Sequence, residues 1–388
     1  MNARERFLAV MGFEPVDRTL LWEFGYWSGA VRRWYREGLP KQQGIPDWLP
    51  DGKGILGEGI YWDPTDPTRI FGADLHECFG LDEGLRQVPL NIYFNPPFEE
   101  VVLEDHGDWV VSMEKTGIIK RDRKDRASLP DYVGWPVKTR EDWERLKAER
   151  LQPTLEGRLP ANWSDFLKEY PNRTYPLAIG GQQGFFGTPR YLLGPENLLV
   201  SYYDDPDLIH DTVSYLASFW ASIYDQVLSQ VKPDIALIWE DMCYKAGPLV
   251  SPATFREFIL PGYRKLTGVF RDHGVNCIAV DTDGDCWKLI PLFVEGGVTC
   301  LYPFEVNANM DVSKVREAYP KLQMFGGVDK VAMAVGKEQI DGELKSKVAP
   351  VLKTGGYIPY CDHLVPPDVS WQNFVYYRRR LAEVICGK

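Results

Sequence analysis

The second half of the sequence alternates between two kinds of segment, and that alternation restricts the fold more than any other feature. Short apolar runs rich in β-branched and aromatic residues lie at Tyr175–Gly180, Ile235–Glu240, Cys277–Asp281, Thr299–Phe304, Gln323–Val328 and Gly356–Tyr360. Longer stretches with helical spacing of apolar residues follow them, at Asp207–Gln230, Pro252–His273, Trp287–Glu295, Val312–Tyr319, Lys337–Leu352 and Trp371–Val384. Parallel strands need a long crossover between them, usually a helix, so this order predicts a parallel sheet. Adding Leu20–Phe24 as an early strand brings the pattern close to the eight strands of a closed (β/α)8 TIM barrel. A doubly wound open sheet gives the same local signal.

Residues 95–125 break the alternation. Phe98–Leu103 and Trp109–Lys115 alternate apolar and polar residues around a Glu104–Asp108 turn, and Thr116–Arg121 follows. That pattern predicts a β-hairpin or small antiparallel sheet inserted in the N-terminal third. The stretch 124–172, rich in Pro, Trp and charge, reads as irregular. No repeat, low-complexity tract or linker appears, so residues 1–388 are expected to form a single barrel domain.

Charge and cysteine usage narrow the function classes. The net charge of −11 argues against nucleic acid and anionic membranes, whose phosphates select basic patches. No apolar run approaches the ~20 residues needed to span a bilayer. Met1–Gly12 reads as the start of a helix rather than a secretion signal, which needs a longer apolar core. Seven scattered cysteines, an odd number, suit a reduced cytoplasmic protein.

In α/β barrels the chemistry sits where strands end and loops begin. Acidic groups stand at five such ends: Glu240 and Asp241, then Asp281 and Asp283, then Glu305, then Asp329 with Lys330, then Asp362 beside Cys361 and His363. Carboxylates gathered at one mouth repel unless they share protons, hold a metal or face a cation. Asp281 and Asp283 share one face of a strand, which suits metal ligation or proton transfer. The plainer alternative is that Asp283 or Asp285 caps the next helix. Glu240 and Asp241 are candidates for acid–base work, with a simple loop start as the alternative. Lys330 either binds a phosphate or carboxylate or neutralises Asp329. His363 stands at a strand end beside acidic and thiol groups, whereas His76, His106, His210 and His273 lack such partners. Gly180–Gly187 is glycine-rich without dinucleotide spacing and reads as a loop where backbone comes close to another element or a ligand. No zinc-ribbon, zincin, hydrolase-elbow or P-loop pattern appears.

These residues, in this order, resemble the uroporphyrinogen decarboxylase superfamily, which also holds corrinoid-linked, zinc-dependent methyltransferases. The likeness runs over nearly the whole chain. It includes Arg4–Leu8, Val16-Asp17-Arg18, Gly181–Phe185, Tyr191–Gly194, Asp205-Pro206, Leu249–Pro252 with Phe255, Phe258 and Pro261, Gly326–Asp329 and Gly355–Ile358. The resemblance implies a barrel enzyme in which Tyr191 and His363 line the pocket, Asp241 replaces a serine beside Glu240, and Asp74 matches a pocket aspartate. Family members often pair as homodimers.

Two departures follow. The decarboxylases carry two arginines after the first strand to face a tetrapyrrole crowded with carboxylates. Here that stretch is Trp22-Glu23-Phe24-Gly25-Tyr26-Trp27, with no arginine. The methyltransferases hold zinc on a His-x-Cys and a later Cys, where this chain has Asp281, Asp283 and Cys361. Carboxylates suit harder ions, although zinc accepts them too. The expectation is methyl transfer from a small O- or N-methyl substrate to a corrinoid protein, with Asp281, Asp283 and Cys361 or His363 holding zinc or another divalent metal. Trp22, Tyr26 and Trp27 would pack against the substrate, and Glu305 and Lys330 would hold its polar end. The alternatives are a decarboxylase or other lyase on a smaller carboxylated substrate, and a non-catalytic ligand-binding barrel.

Overall fold

The computed structural model of the protein describes residues 1–41, 49, 52–57, 72–124 and 130–387. Its strands, in chain order, are β1 (Gly25–Trp27), β2 (Gly54–Leu56), β3 (Arg86–Gln87), β4 (Val101–Asp105), β5 (Trp109–Met113), β6 (Ile119–Arg123), β7 (Asp131–Gly134), β8 (Leu177–Gly180), β9 (Ile235–Trp239), β10 (Cys243–Tyr244), β11 (Gly247–Pro248), β12 (Ile278–Asp281), β13 (Cys300–Tyr302), β14 (Gln323–Phe325) and β15 (Tyr357–Ile358). Seven of them form one parallel sheet in the order β15-β14-β13-β12-β9-β8-β3. Helices pack outside it, and the fold is a (β/α)8 barrel of the TIM type. The six strands read from the alternation are all present, each trimmed by one to three residues.

The eighth place belongs to the early segment, which is extended rather than a regular strand. The Thr19 hydroxyl donates to the Tyr357 carbonyl at 2.9 Å on one side. Asp82 N–H donates to the Leu21 carbonyl at 3.1 Å on the other. Further along, Tyr26 bridges Val365 in parallel, and Gly25–Trp27 pairs antiparallel with Gly54–Leu56. Leu20–Phe24 therefore closes the barrel without the ladder expected of it.

Strand pleating sorts side chains between two cores. Ile235, Leu237, Ala279, Cys300, Tyr302, Phe325 and Ile358 face the barrel lumen with Leu20, Trp22 and Phe24. Ala236, Ile238, Ile278, Val280, Leu301 and Met324 face the helices. Successive residues point to opposite faces of a strand, so both layers are built from one run of apolar residues. Each fully buried Leu, Ile or Phe contributes about 1.5–3 kcal/mol.

The helix Ala3–Met11 plugs the lumen at the end where the strands begin. Its Phe7, Val10 and Met11 join the lumen core. Arg4 and Arg173 meet the buried Asp234 carboxylate at 3.1 and 2.9 Å. Gln323 Nε2 donates to the Met11 carbonyl at 2.7 Å. With that end closed, space for a ligand remains at the end where the strands finish.

The insertion is a four-stranded antiparallel sheet, β4-β5-β6-β7. It runs beyond the expected hairpin to Asp131–Gly134, and residue 125 lies outside the described residues. The expected irregular stretch contains two helices, Arg140–Arg150 and Trp163–Glu169. The first opens on a capping box, Thr139 with Asp142, and buries only Trp143 and Leu146. Two apolar contacts are too thin a stripe to read as an amphipathic helix. Among the described residues no helix is long and apolar enough to cross a membrane.

Candidate active site

A cavity of about 740 Å³ opens where the strands end. Its floor and walls come from Phe24, Trp239, Asp241, Asp281, Asp283 and His363. Asn91, Tyr93, Phe94, Gln182 and Tyr191 close one side. The antiparallel sheet forms its roof, with Glu114, Lys115, Thr116, Ile118 and Tyr132 turned toward it.

His363 and Asp283 are the pair with the clearest chemical potential. His363 Nε2 lies 3.5 Å from Asp283 Oδ2, with both side chains about one-third exposed or less. The ring also packs against Phe24, centroid to centroid 5.2 Å. Burial works against a charged imidazole, but the Asp283 carboxylate outweighs it, and the His363 pKa is raised. Asp283 is followed by Gly284 at φ 76°, where an added Cβ would meet the Cys243 carbonyl carbon and oxygen at 2.5 Å. Glycine thus permits the turn that presents Asp283. The same strand places Asp281, nearly buried, on the same face.

Asp241 and Arg190 form the second polar group. Arg190 donates to the Asp241 carbonyl and to its Oδ2, both at 2.9 Å. Asp241 sits at φ 45°, a left-handed conformation uncommon outside glycine. The Arg190 guanidinium lies 5.1 Å from the Trp239 ring centre, and Tyr191 stacks on Trp239 at 5.3 Å. Burial raises the Tyr191 pKa, so its phenol stays protonated.

Glu240 has a different task. It is fully buried and accepts hydrogen bonds from the backbone N–H groups of Phe185, Phe186 and Gly187 at 2.7–2.8 Å. The Tyr263 hydroxyl donates to it at 2.6 Å. Strand parity explains the outcome: Trp239 and Asp241 face the cavity, so Glu240 between them faces the helices. The glycine-rich loop is the matching half of this contact. A Cβ on Gly184 would meet the Trp239 carbonyl at 2.1 Å and the Glu240 carboxylate at 2.6 Å.

Cys361 likewise faces away. It is fully buried in the outer core, and burial pushes its thiol pKa well up. The expected ligand set of Asp281, Asp283 and Cys361 is therefore not brought together. Among the described residues no three or more His, Cys, Asp or Glu side chains gather where they would hold a cation.

The family model for uroporphyrinogen decarboxylase (URO-D) matches residues 124–380, well over half of the chain. The chain belongs to the URO-D family. A methyltransferase from Methanosarcina mazei shares the fold, with a TM-score of 0.60 and 16% identity over 99% of both chains. No curated protein matches the sequence.

Acidic side chains outnumber basic ones around the cavity. Among the described residues no arginine lines it, whereas Glu114, Asp241, Asp281 and Asp283 do, beside Lys115. The first-loop residues expected to touch substrate lie elsewhere. Trp22 is in the lumen core, donating through Nε1 to the Glu83 carbonyl at 3.1 Å. Tyr26 packs against Trp34 and Phe374, because the chain turns at Gly25, where a Cβ would meet the Ile55 carbonyl at 2.5 Å. Trp27 sits half-buried at the start of a helix, outside the cavity lining. Phe24 alone from that loop reaches the cavity, and parity with Leu20 and Trp22 was its one sequence signal.

Glu305 and Lys330 pair with each other at 3.1 Å, beside the buried Asp362 rather than on the cavity wall. Lys330 does not neutralise Asp329, which caps the following helix. Asp74 is buried and accepts a hydrogen bond from Tyr35 at 2.7 Å, away from the cavity. Asn91, Tyr93 and Tyr132 came without a sequence signal, since they lie on loops and on the inserted sheet.

Proposed function

We propose that this URO-D family protein removes a methyl group from a small O- or N-methyl substrate and passes it to a corrinoid carried by a partner protein. The observation that carries the reading is the His363–Asp283 pair set in an aromatic cavity that, among the described residues, is lined by Glu114, Asp241, Asp281 and Asp283 against one lysine, Lys115, and no arginine. A substrate crowded with carboxylates meets repulsion there, so tetrapyrrole decarboxylation is disfavoured. The cavity volume is that of a drug-sized ligand site, which suits a small substrate.

A reduced corrinoid, when its carrier docks, supplies the nucleophile that accepts the methyl group. The chain's own residues handle the group left behind. As the bond from methyl to oxygen or nitrogen breaks, the heteroatom gains an electron pair and needs a proton. His363 supplies it from Nδ1 while Asp283 holds Nε2. Such proton transfer by a positioned side chain typically contributes about 10²–10⁴-fold. Phe24, Trp239 and Tyr191 flank the substrate and exclude water, and Asp241 fixes a polar substituent. No step runs through a metal, because Cys361 faces the outer core and, among the described residues, no three His, Cys, Asp or Glu side chains gather closely enough to hold one.

The test offers methoxy and N-methyl compounds to the protein with reduced cobalamin as acceptor. Methylated cobalamin should form, and replacing His363 by Gln should slow it at least 100-fold. Carbon dioxide release from a small carboxylated compound without methyl transfer would instead make the same imidazolium a carbanion protonator.

A further inference from the structure

Glu23 is not among the residues lining the active-site cavity, yet it is fully buried near the end of the barrel-closing segment. Its Oε1 accepts the Cys361 N–H at 2.9 Å and the Phe24 N–H at 3.1 Å. Its Oε2 faces Arg378 at 3.1 Å, and Arg378 also donates to the Trp22 carbonyl at 2.8 Å. One carboxylate therefore ties together three pieces: the closing segment, the loop two residues before His363, and the C-terminal helix Trp371–Ile385. The loop is pinned from its other side by Asp362, which accepts the N–H groups of Val306 at 3.0 Å and Lys330 at 3.2 Å.

We propose that Glu23 is a positioning residue for His363, setting both the loop that carries the imidazole and the Phe24 ring that packs against it. This rests on the reading of His363 as the proton donor. A buried ion pair is a poor device for stability alone, since desolvation offsets much of its attraction. Here it fixes geometry: the Glu23 oxygen that holds Cys361 also holds Phe24, so ring and imidazole are set by one group. A misplacement of about 1 Å at such a donor can cost on the order of 100-fold in rate. The acidic residue in the first loop is thus spent on the site's frame rather than on its ligand.

The test compares the wild-type protein with Glu23→Gln and with Leu381→Ala, a destabilising change on the same C-terminal helix. His363 ring-proton resonances report its packing against Phe24 through the ring-current shift. The proposal expects Glu23→Gln to lose that shift and to lower kcat at least 10-fold with KM changed less than 3-fold. Leu381→Ala should keep the shift. If Glu23→Gln does not fold, Glu23→Gln with Arg378→Gln removes the charge pair together and is read the same way. A folded variant whose His363 resonances and kcat match wild type overturns the proposal. Lost ring packing in a protein that transfers no methyl group sinks the function and leaves the positioning role standing.

Discussion

Replacing Asp283 by Asn removes the one carboxylate that raises the His363 pKa through a direct contact. At 3.5 Å, two unit charges attract by roughly 5 kcal/mol at an effective dielectric of about 20. Both side chains are partly exposed, 27% for His363 and 33% for Asp283, so solvent screening cuts this to about 1–2 kcal/mol. The His363 midpoint should therefore fall when the carboxylate is removed. Burial, which works against the charged imidazole, then acts with less opposition. The sign for stability follows. A raised folded value stabilises fully below the unfolded value of about 6.5, and that contribution fades as pH rises through the folded value. Asp283→Asn should therefore destabilise more at pH 5.5 than at pH 9. The assay is a proton NMR titration of His363, assigned by its loss in His363→Gln, with denaturant melts at both pH values. An unchanged midpoint would refute the pairing argument.

Other residues give sharper structural contrasts. Glu240→Ala leaves three backbone N–H groups and a tyrosine hydroxyl without their buried acceptor, and should cost roughly 3–5 kcal/mol in a denaturant melt. Asp241→Gly should melt above Asp241→Ala by about 1 kcal/mol, since only glycine is at ease at φ 45°. Burial holds the Asp362 pKa at about 6, above its unfolded value of 3.8. Its folded form takes a proton first, so stability from this group grows as pH falls from above 6 toward 4, by up to about 3 kcal/mol. Melts of wild type and Asp362→Asn from pH 4 to 7 should diverge by that trend.

Periodicity made the barrel legible, because strand and helix periods are written in apolar residues. The six strands of the second half and the helices after them stand where the alternation put them. Arg86–Gln87 escaped because both its residues are polar, and Asp131–Gly134 because its strand is half polar and exposed. At the site, Asp241, Asp281, Asp283, His363 and Tyr191 do come together around one cavity. Glu240 and Cys361 did not join them, since standing at a strand end says nothing about which face a side chain takes. Trp22 and Tyr26 show the same limit: an aromatic loop beside a barrel mouth is as able to fill the core as to line a pocket. The inserted sheet's role as a roof depends on tertiary placement, which no local pattern encodes.

The most direct test of the central claim is the pH dependence of methyl transfer to reduced cobalamin in wild type and His363→Gln. The account predicts a wild-type rate that falls as pH rises through the raised His363 value, and a much slower variant without that limb. Equal rates and equal profiles in the two proteins would contradict His363 as the proton donor, and with it the account of the site.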